Sequence, residues 1–170
     1  MLINAHWLKK NINKKNVKVL DASWYLPNSK RNAKKEYKNM RIPGSIFFDI
    51  DDICNKKSKL PHMLPSQKYF EKKISHLGIN SNDVLVIYCK EGVLSSPRVW
   101  WMFKYFGHKK VFVLNGGLKA WMLVNGIIKY GPVNHKKTSY KVGRINFSCN
   151  SSFEEITNRI KKKENIYILD

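Results

Sequence analysis

Val84-Leu-Val-Ile-Tyr-Cys-Lys-Glu-Gly-Val-Leu-Ser-Ser-Pro-Arg-Val-Trp-Trp-Met-Phe-Lys-Tyr-Phe106 decides how the rest of the chain is read. Its first five residues are apolar and mostly β-branched, the signature of a strand buried on both faces. The strand gives way at Cys89. Six residues later Ser95-Ser96-Pro97 reads as a helix start, and the aromatic run that follows has helical spacing. A thiol between the C-terminal end of a strand and the N-terminus of a helix stands where open α/β sheets bind ligands. Free loop N–H groups and the helix dipole there favour a thiolate. Such a cysteine is suited to accept and release a group carried on sulfur.

Outward from this stretch the same alternation continues. Towards the N-terminus, Asn4 caps a short helix bearing Trp7, Leu8 and Ile12, and Val17-Lys-Val-Leu-Asp21 is a strand. A helix is expected over residues 33–40 and a short strand over 45–48, after the Pro43-Gly44 turn. Ser66 caps a helix with Tyr69, Phe70, Ile74 and Leu77 on one face and Gly78 as its stop. Towards the C-terminus come a strand at 110–114, the Gly116-Gly117 turn and a helix at 118–124 closed by Gly126. Short apolar strands alternating with helices imply an α/β domain whose parallel sheet is covered on both faces. That domain is complete by residue 131.

Residues 132–150 are basic, extended and rich in turn formers, and read as a linker. Beyond them Ser151-Ser152 starts a helix with Phe153, Ile156 and Ile160, and Ile166-Tyr-Ile-Leu-Asp170 reads as a strand. Head and tail share an order: helix, lysine-rich turn, apolar strand ending in Asp. The chain is therefore expected to stop just inside a second copy of its own fold.

Composition narrows the function classes. The net charge of +20 invites a nucleic-acid reading. However, the charge is nearly all Lys, spread along the chain with abundant Asn and Ile, as AT-rich codon drift would leave it. Arg forks and stacking aromatics at a binding face are what nucleic-acid readers use, so no nucleic-acid partner is expected. No apolar run approaches the length of a membrane span. The first residues lack signal-peptide organisation, and the three cysteines (Cys54, Cys89, Cys149) have neither disulfide-framework nor zinc spacing. These features read as a cytoplasmic protein with free thiols.

Resemblance to a known family rests on Leu20-Asp-Ala-Ser-Trp-Tyr-Leu-Pro27, Arg31, Glu36-Tyr37, Ile42-Pro-Gly-Ser-Ile-Phe-Phe-Asp49 and Leu60-Pro-His-Met-Leu-Pro65. It continues in Ser96-Pro-Arg-Val-Trp-Trp-Met-Phe103, Phe106-Gly-His108 and Val113-Leu-Asn-Gly-Gly-Leu-Lys-Ala-Trp121. With these motifs the chain resembles the N-terminal half of two-domain rhodanese-type sulfurtransferases, the thiosulfate and 3-mercaptopyruvate sulfurtransferases. The resemblance implies a rhodanese-like, about five-stranded, mostly parallel sheet with helices on both faces, duplicated in tandem. It also implies transfer of sulfane sulfur from a small anionic donor to a thiol, thioredoxin or cyanide through a cysteine persulfide, with no metal or organic cofactor. In such proteins the active cysteine belongs to the second domain, and the N-terminal copy is normally silent, usually with Asp at the position of Cys89.

Two readings of Cys89 follow. Cys89-Lys-Glu-Gly-Val-Leu-Ser95 has the Cys-x-x-Gly-x-x-Ser spacing of active rhodanese loops. In that reading Cys89 is catalytic, and Lys90, Gly92, Ser95 and Arg98 bind substrate. Against it, Ser23 stands where active copies carry a substrate-binding Arg, and Glu91 puts an anion beside the thiol. The alternative is a silent module with a structural or binding role, paired with a separate second domain or with itself. A phosphatase-type loop needs Cys-x5-Arg, and position 95 is Ser. Arg31 is expected to pair with an acid among Asp49, Asp51 and Asp52. That acidic loop, His62 and His108 are expected to be structural. The Trp100, Trp101, Phe103 and Trp121 stripe is expected to form core or a domain contact, leaving part of it exposed and sticky.

Overall fold

The computed structural model describes residues 1–169. In chain order the elements are β1 (Leu2–Ile3), α1 (Ala5–Asn11), β2 (Val17–Asp21), α2 (Ala33–Asn39), β3 (Ile46–Phe47), α3 (Gln67–His76), β4 (Val84–Tyr88), α4 (Ser96–Tyr105), β5 (Val111–Leu114), α5 (Gly117–Leu123) and α6 (Phe153–Lys161). Single 3₁₀ turns occupy Pro27–Ser29 and Phe147–Cys149. The α/β class and the five-stranded sheet are as expected, and every strand pair is parallel, in the order β1-β5-β4-β2-β3. β1 has only two residues, too few for an alternating pattern, and sequence reasoning missed it.

Period-two alternation divides the core into two layers. Leu20, Leu85, Ile87 and Val111 face α3 and α4, where Phe70, Ile74, Val99, Met102, Phe103 and Phe106 meet them. Val17, Val19, Val86, Tyr88 and Leu114 face α1 and α5, against Leu8, Leu118 and Trp121. The caps follow the sequence in most places. Asn4 Oδ1 accepts the Trp7 N–H at 2.8 Å, Ser66 Oγ that of Tyr69 at 3.4 Å and Ser152 Oγ that of Glu155 at 3.0 Å. Ser95 is the exception: its backbone is already helical and its side chain makes no cap bond.

The segment expected as a linker is extended, but it is laid onto the domain. The N–H groups of Thr138 and Tyr140 donate to Ser75 O (3.0 Å) and Ser75 Oγ (2.9 Å), and that of Val142 to Glu71 Oε1 (3.0 Å). Gly143 and Asn146 donate to Phe106 O (3.1 Å) and Tyr105 O (2.8 Å). Tyr140 is 2% exposed, stacked on His108 and edge-on to Phe70 and Phe103. His108 is satisfied between the Tyr140 hydroxyl (3.1 Å) and Asp83 O (2.9 Å), a structural histidine as expected. Charge and turn residues hid one aromatic anchor.

The aromatic stripe is divided between core and a half-covered part. Phe103 and Trp121 are buried, and Trp100 and Trp101 are partly covered, with their ring N–H groups donating to Val111 O and Cys149 O. Among the apolar groups left in solvent are Phe153 and Ile160 of α6 together with Tyr167 and Leu169. The helix α6 forms as expected, but residues 166–169 form no strand. A parallel strand needs a neighbour to satisfy its ladder, and none lies beside them among the described residues. Asp170 of the expected strand lies outside the described residues.

Candidate functional site at the switch point

From β2 the sheet grows one way, through β3, and from β4 the other way, through β5. The crevice between the C-terminal ends of β2 and β4 is therefore the topological switch point. Asp21, Ala22 and Ser23 leave β2 there, and Cys89 and Lys90 leave β4. Ser23 Oγ accepts the Lys90 N–H at 3.0 Å and stitches the two loops together.

Cys89 is 2% exposed. Its Sγ donates to the carbonyl oxygens of Glu91 (3.4 Å) and Gly92 (3.6 Å), so the loop meets the sulfur with acceptors, the partners of a thiol and not of a thiolate. Gly92 has φ +59°, the left-handed backbone that turns its carbonyl inward. Behind the loop, Leu118 N–H donates to Cys89 O at 3.1 Å. The start of α5 thus packs its backbone against the Cys89 strand end.

Cations surround the site, each already engaged. Lys90 Nζ donates to Glu36 O at 2.7 Å and lies 3.7 Å from Glu36 Oε2, and burial pulls its pKa below the usual lysine value. Arg31 does not pair with the Asp49–Asp52 loop, contrary to expectation. Its Nε and Nη2 bind Glu36 as a fork (2.8 and 2.7 Å), its Nη1 contacts Glu91, and its guanidinium lies 3.7 Å above the Tyr25 ring. Arg31 and Glu36 are five positions apart, with a helix start between them, so the match to α2 was invisible from spacing alone. The fork holds the Glu36 carboxyl below the usual carboxylate range.

Of the site residues named from sequence, Cys89, Lys90, Gly92 and Ser95 share one loop, and Arg98 stands apart. Arg98 donates to His62 O and lies over the Trp101 ring at 4.6 Å. It lines a separate cleft of about 450 Å³ with His62, Trp101 and Asn150. Beside that cleft His62 Nε2 and Asp51 Oδ1 lie 2.7 Å apart, and Trp24 Nε1 donates to the same Asp51 oxygen at 3.0 Å. Sequence reasoning treated His62 and the acidic loop separately. They are eleven positions apart along irregular chain, and no period connects such a pair.

Asp21 lies at the base of the crevice, fully buried. Its Oδ1 accepts the Ser23 N–H at 2.9 Å, and its Oδ2 has no partner among the described residues. Burial pushes its carboxyl up, opposed by the hydrogen bonds from Ser23. The folded chain therefore holds this proton more tightly than the unfolded chain. The associated stability is greatest below the unfolded value of about 3.9 and is lost as pH rises through the folded value. Asp21→Asn keeps the acceptor for Ser23 and removes the buried charge. Melting curves from pH 4 to 8 are expected to show the variant gaining on the parent as pH rises. A gap independent of pH would refute this.

The fold and the thiol at its switch point define a class, and the chain belongs to it: the profile of the Rhodanese-like domain family matches residues 4–123. Among its relatives, "Thiosulfate/3-mercaptopyruvate sulfurtransferase 1, mitochondrial" of Arabidopsis thaliana is 47% identical over 120 residues, 71% of this chain and 32% of that protein. "Probable 3-mercaptopyruvate sulfurtransferase" of Schizosaccharomyces pombe is 39% identical over 155 residues, 89% of this chain and 52% of that protein. The crystal structure of SseA from Escherichia coli, described as a 3-mercaptopyruvate sulfotransferase with the rhodanese fold, superposes with a TM-score of 0.89 at 31% identity. It covers 95% of this chain and 62% of that one. The chain thus spans from about a third to just over half the length of these curated relatives. No helix among the described residues is long and apolar enough to cross a membrane.

Proposed function

We propose that this chain is a rhodanese module of a sulfurtransferase that uses thiosulfate or 3-mercaptopyruvate. In the thiosulfate reaction a cysteine thiolate attacks the outer sulfur, and sulfite leaves with the electron pair of the broken S–S bond. The resulting persulfide passes its outer sulfur to cyanide as thiocyanate, or to an acceptor thiol, and the thiolate is regenerated. Within this module Cys89 is held back, and the sulfur travels on the cysteine of a second rhodanese module. The observation that carries this division is the closed Cys89 loop: a thiol 2% exposed, donating to two carbonyls, with Arg31 and Lys90 already committed to Glu36. Three free cysteines agree with a reducing, cytoplasmic setting.

A second reading, in which Cys89 itself carries sulfur, is supported by the loop's Cys-x-x-Gly-x-x-Ser spacing and by Lys90 next to the thiol. Intact mass after incubation with millimolar thiosulfate separates the two. The expected result is no sulfur adduct on this chain alone, and thiocyanate formation by a chain carrying both modules that survives Cys89→Ser. Gain of one sulfur, abolished by Cys89→Ser, would instead make Cys89 the carrier. A two-module chain that makes no thiocyanate from either donor would overturn the sulfurtransferase reading.

A further inference from the structure

One residue closes the Cys89 loop twice over. The Glu91 carbonyl accepts the Cys89 thiol at 3.4 Å and the Leu94 N–H at 3.5 Å, so its backbone forms the cover on the sulfur. The Glu91 side chain leaves in the other direction and contacts Arg31 Nη1. Arg31 is itself immobilised. Glu36 holds its Nε and Nη2, Tyr25 Oη accepts from Nη2 at 2.7 Å, and the guanidinium rests on the Tyr25 ring. The cover on the thiol is thus tethered to a rigid anchor on a different part of the fold.

Apart from the Cys89 bond to Gly92 O and the backing of Gly117, little covers the outer half of this loop among the described residues. A Cβ on Gly92 would meet no atom within 4 Å, and Val93 and Leu94 are exposed, Leu94 at 79%. Clefts of about 460 and 410 Å³ lie on the two sides of the Arg31–Glu91 contact and leave the loop room to swing. The tether is weak by design of its surroundings: the Glu91 side chain is half exposed, and ion pairs in such positions are screened and easily exchanged.

We propose that the Arg31–Glu91 contact is a latch that keeps Cys89 closed, and that releasing Glu91 opens the loop and presents the thiol to solvent. The latch is independent of whether Cys89 carries sulfur. Glu36 and Lys90 remain paired in the open form, and Gly117 still supports the loop from behind.

The test is alkylation of Cys89 by iodoacetamide, followed by peptide mass as a function of pH. Cys54 and Cys149 in the same chain report that the fold is intact. Glu91→Gln and Arg31→Gln break the latch from opposite sides. Opening the loop raises the plateau at high pH, where the thiol is fully ionised. The expected result is a plateau about two- to fivefold higher in both variants, the range an exposed ion pair can hold closed, with Cys54 and Cys149 unchanged. A plateau at the parent level in both variants, with or without a shifted midpoint, would overturn the latch. Alkylation needs no sulfur donor. An open Cys89 that takes no sulfur from thiosulfate therefore leaves the latch standing and counts only against Cys89 as the carrier.

Discussion

Gly117→Ala is expected to be among the most damaging single-methyl changes in this protein, and to strike the Cys89 loop first. Gly117 has φ +56°, and a Cβ there would stand 2.5 Å from Gly92 O and closer still to Cys89 O. Both obstacles are backbone atoms, so the clash is not relieved by rotating a side chain. The Leu118 N–H bond to Cys89 O must break or the loop must move. Left-handed strain of about 1–2 kcal/mol and overpacking of about 1–3 kcal/mol together predict a loss of roughly 3 kcal/mol. For a chain of this size that is a fall in Tm of about 6–12 °C. Gly44→Ala is the matched control, since Gly44 has φ +65° but open space around its Cβ position. Thermal melts of the two variants isolate the clash. Equal losses would mean that the tight seat of the Cys89 loop on α5 contributes nothing.

Tyr140→Ala is expected to unseat the segment that sequence composition reads as a linker. The ring fills a site enclosed by Phe70, Phe103 and His108, and large-to-small changes at buried aromatics cost about 3–5 kcal/mol. The change also strands His108 Nδ1, which has the Tyr140 hydroxyl as its partner. Urea unfolding should show a lower midpoint for Tyr140→Ala and a much smaller change for Tyr140→Phe, which keeps the ring and loses one hydrogen bond worth about 1 kcal/mol. A freely solvated linker would leave both midpoints at the parent value. The same packing argues that a chain ending at residue 131 is less stable than the longer one, because α3 and α4 would lose their cover.

Arg31 and Asp21 show where reading the sequence stops being sufficient. For Arg31 a nearby acid was a sound guess, but the acid is Glu36, at a distance along the chain that only the geometry of the α2 start brings into register. Asp21 sits at the end of a plain apolar strand, and nothing in Val17-Lys-Val-Leu-Asp21 marks its carboxyl as buried with one oxygen unpartnered. Arg98 followed the opposite course. Its motif suggested an anion contact and its place one turn into α4 a structural tie, and the helix turns it towards His62 and Trp101.

The sequence by itself determined the α/β class, the helices and the longer strands, the junction that places Cys89 at a ligand-binding edge, and the family. These are local or periodic signals: strand and helix periods differ, caps and glycines mark ends, and motifs are contiguous. Only the tertiary structure decided that the Cys89 thiol is closed, that the Glu91 side chain meets Arg31, and that residues 132–147 are laid onto the packed domain. Each of these rests on groups far apart in the chain, or on whether a loop turns its carbonyls or its N–H groups towards a sulfur. Residue order carries no period for such contacts, and solvent exclusion at Cys89 depends on what the rest of the fold places above it.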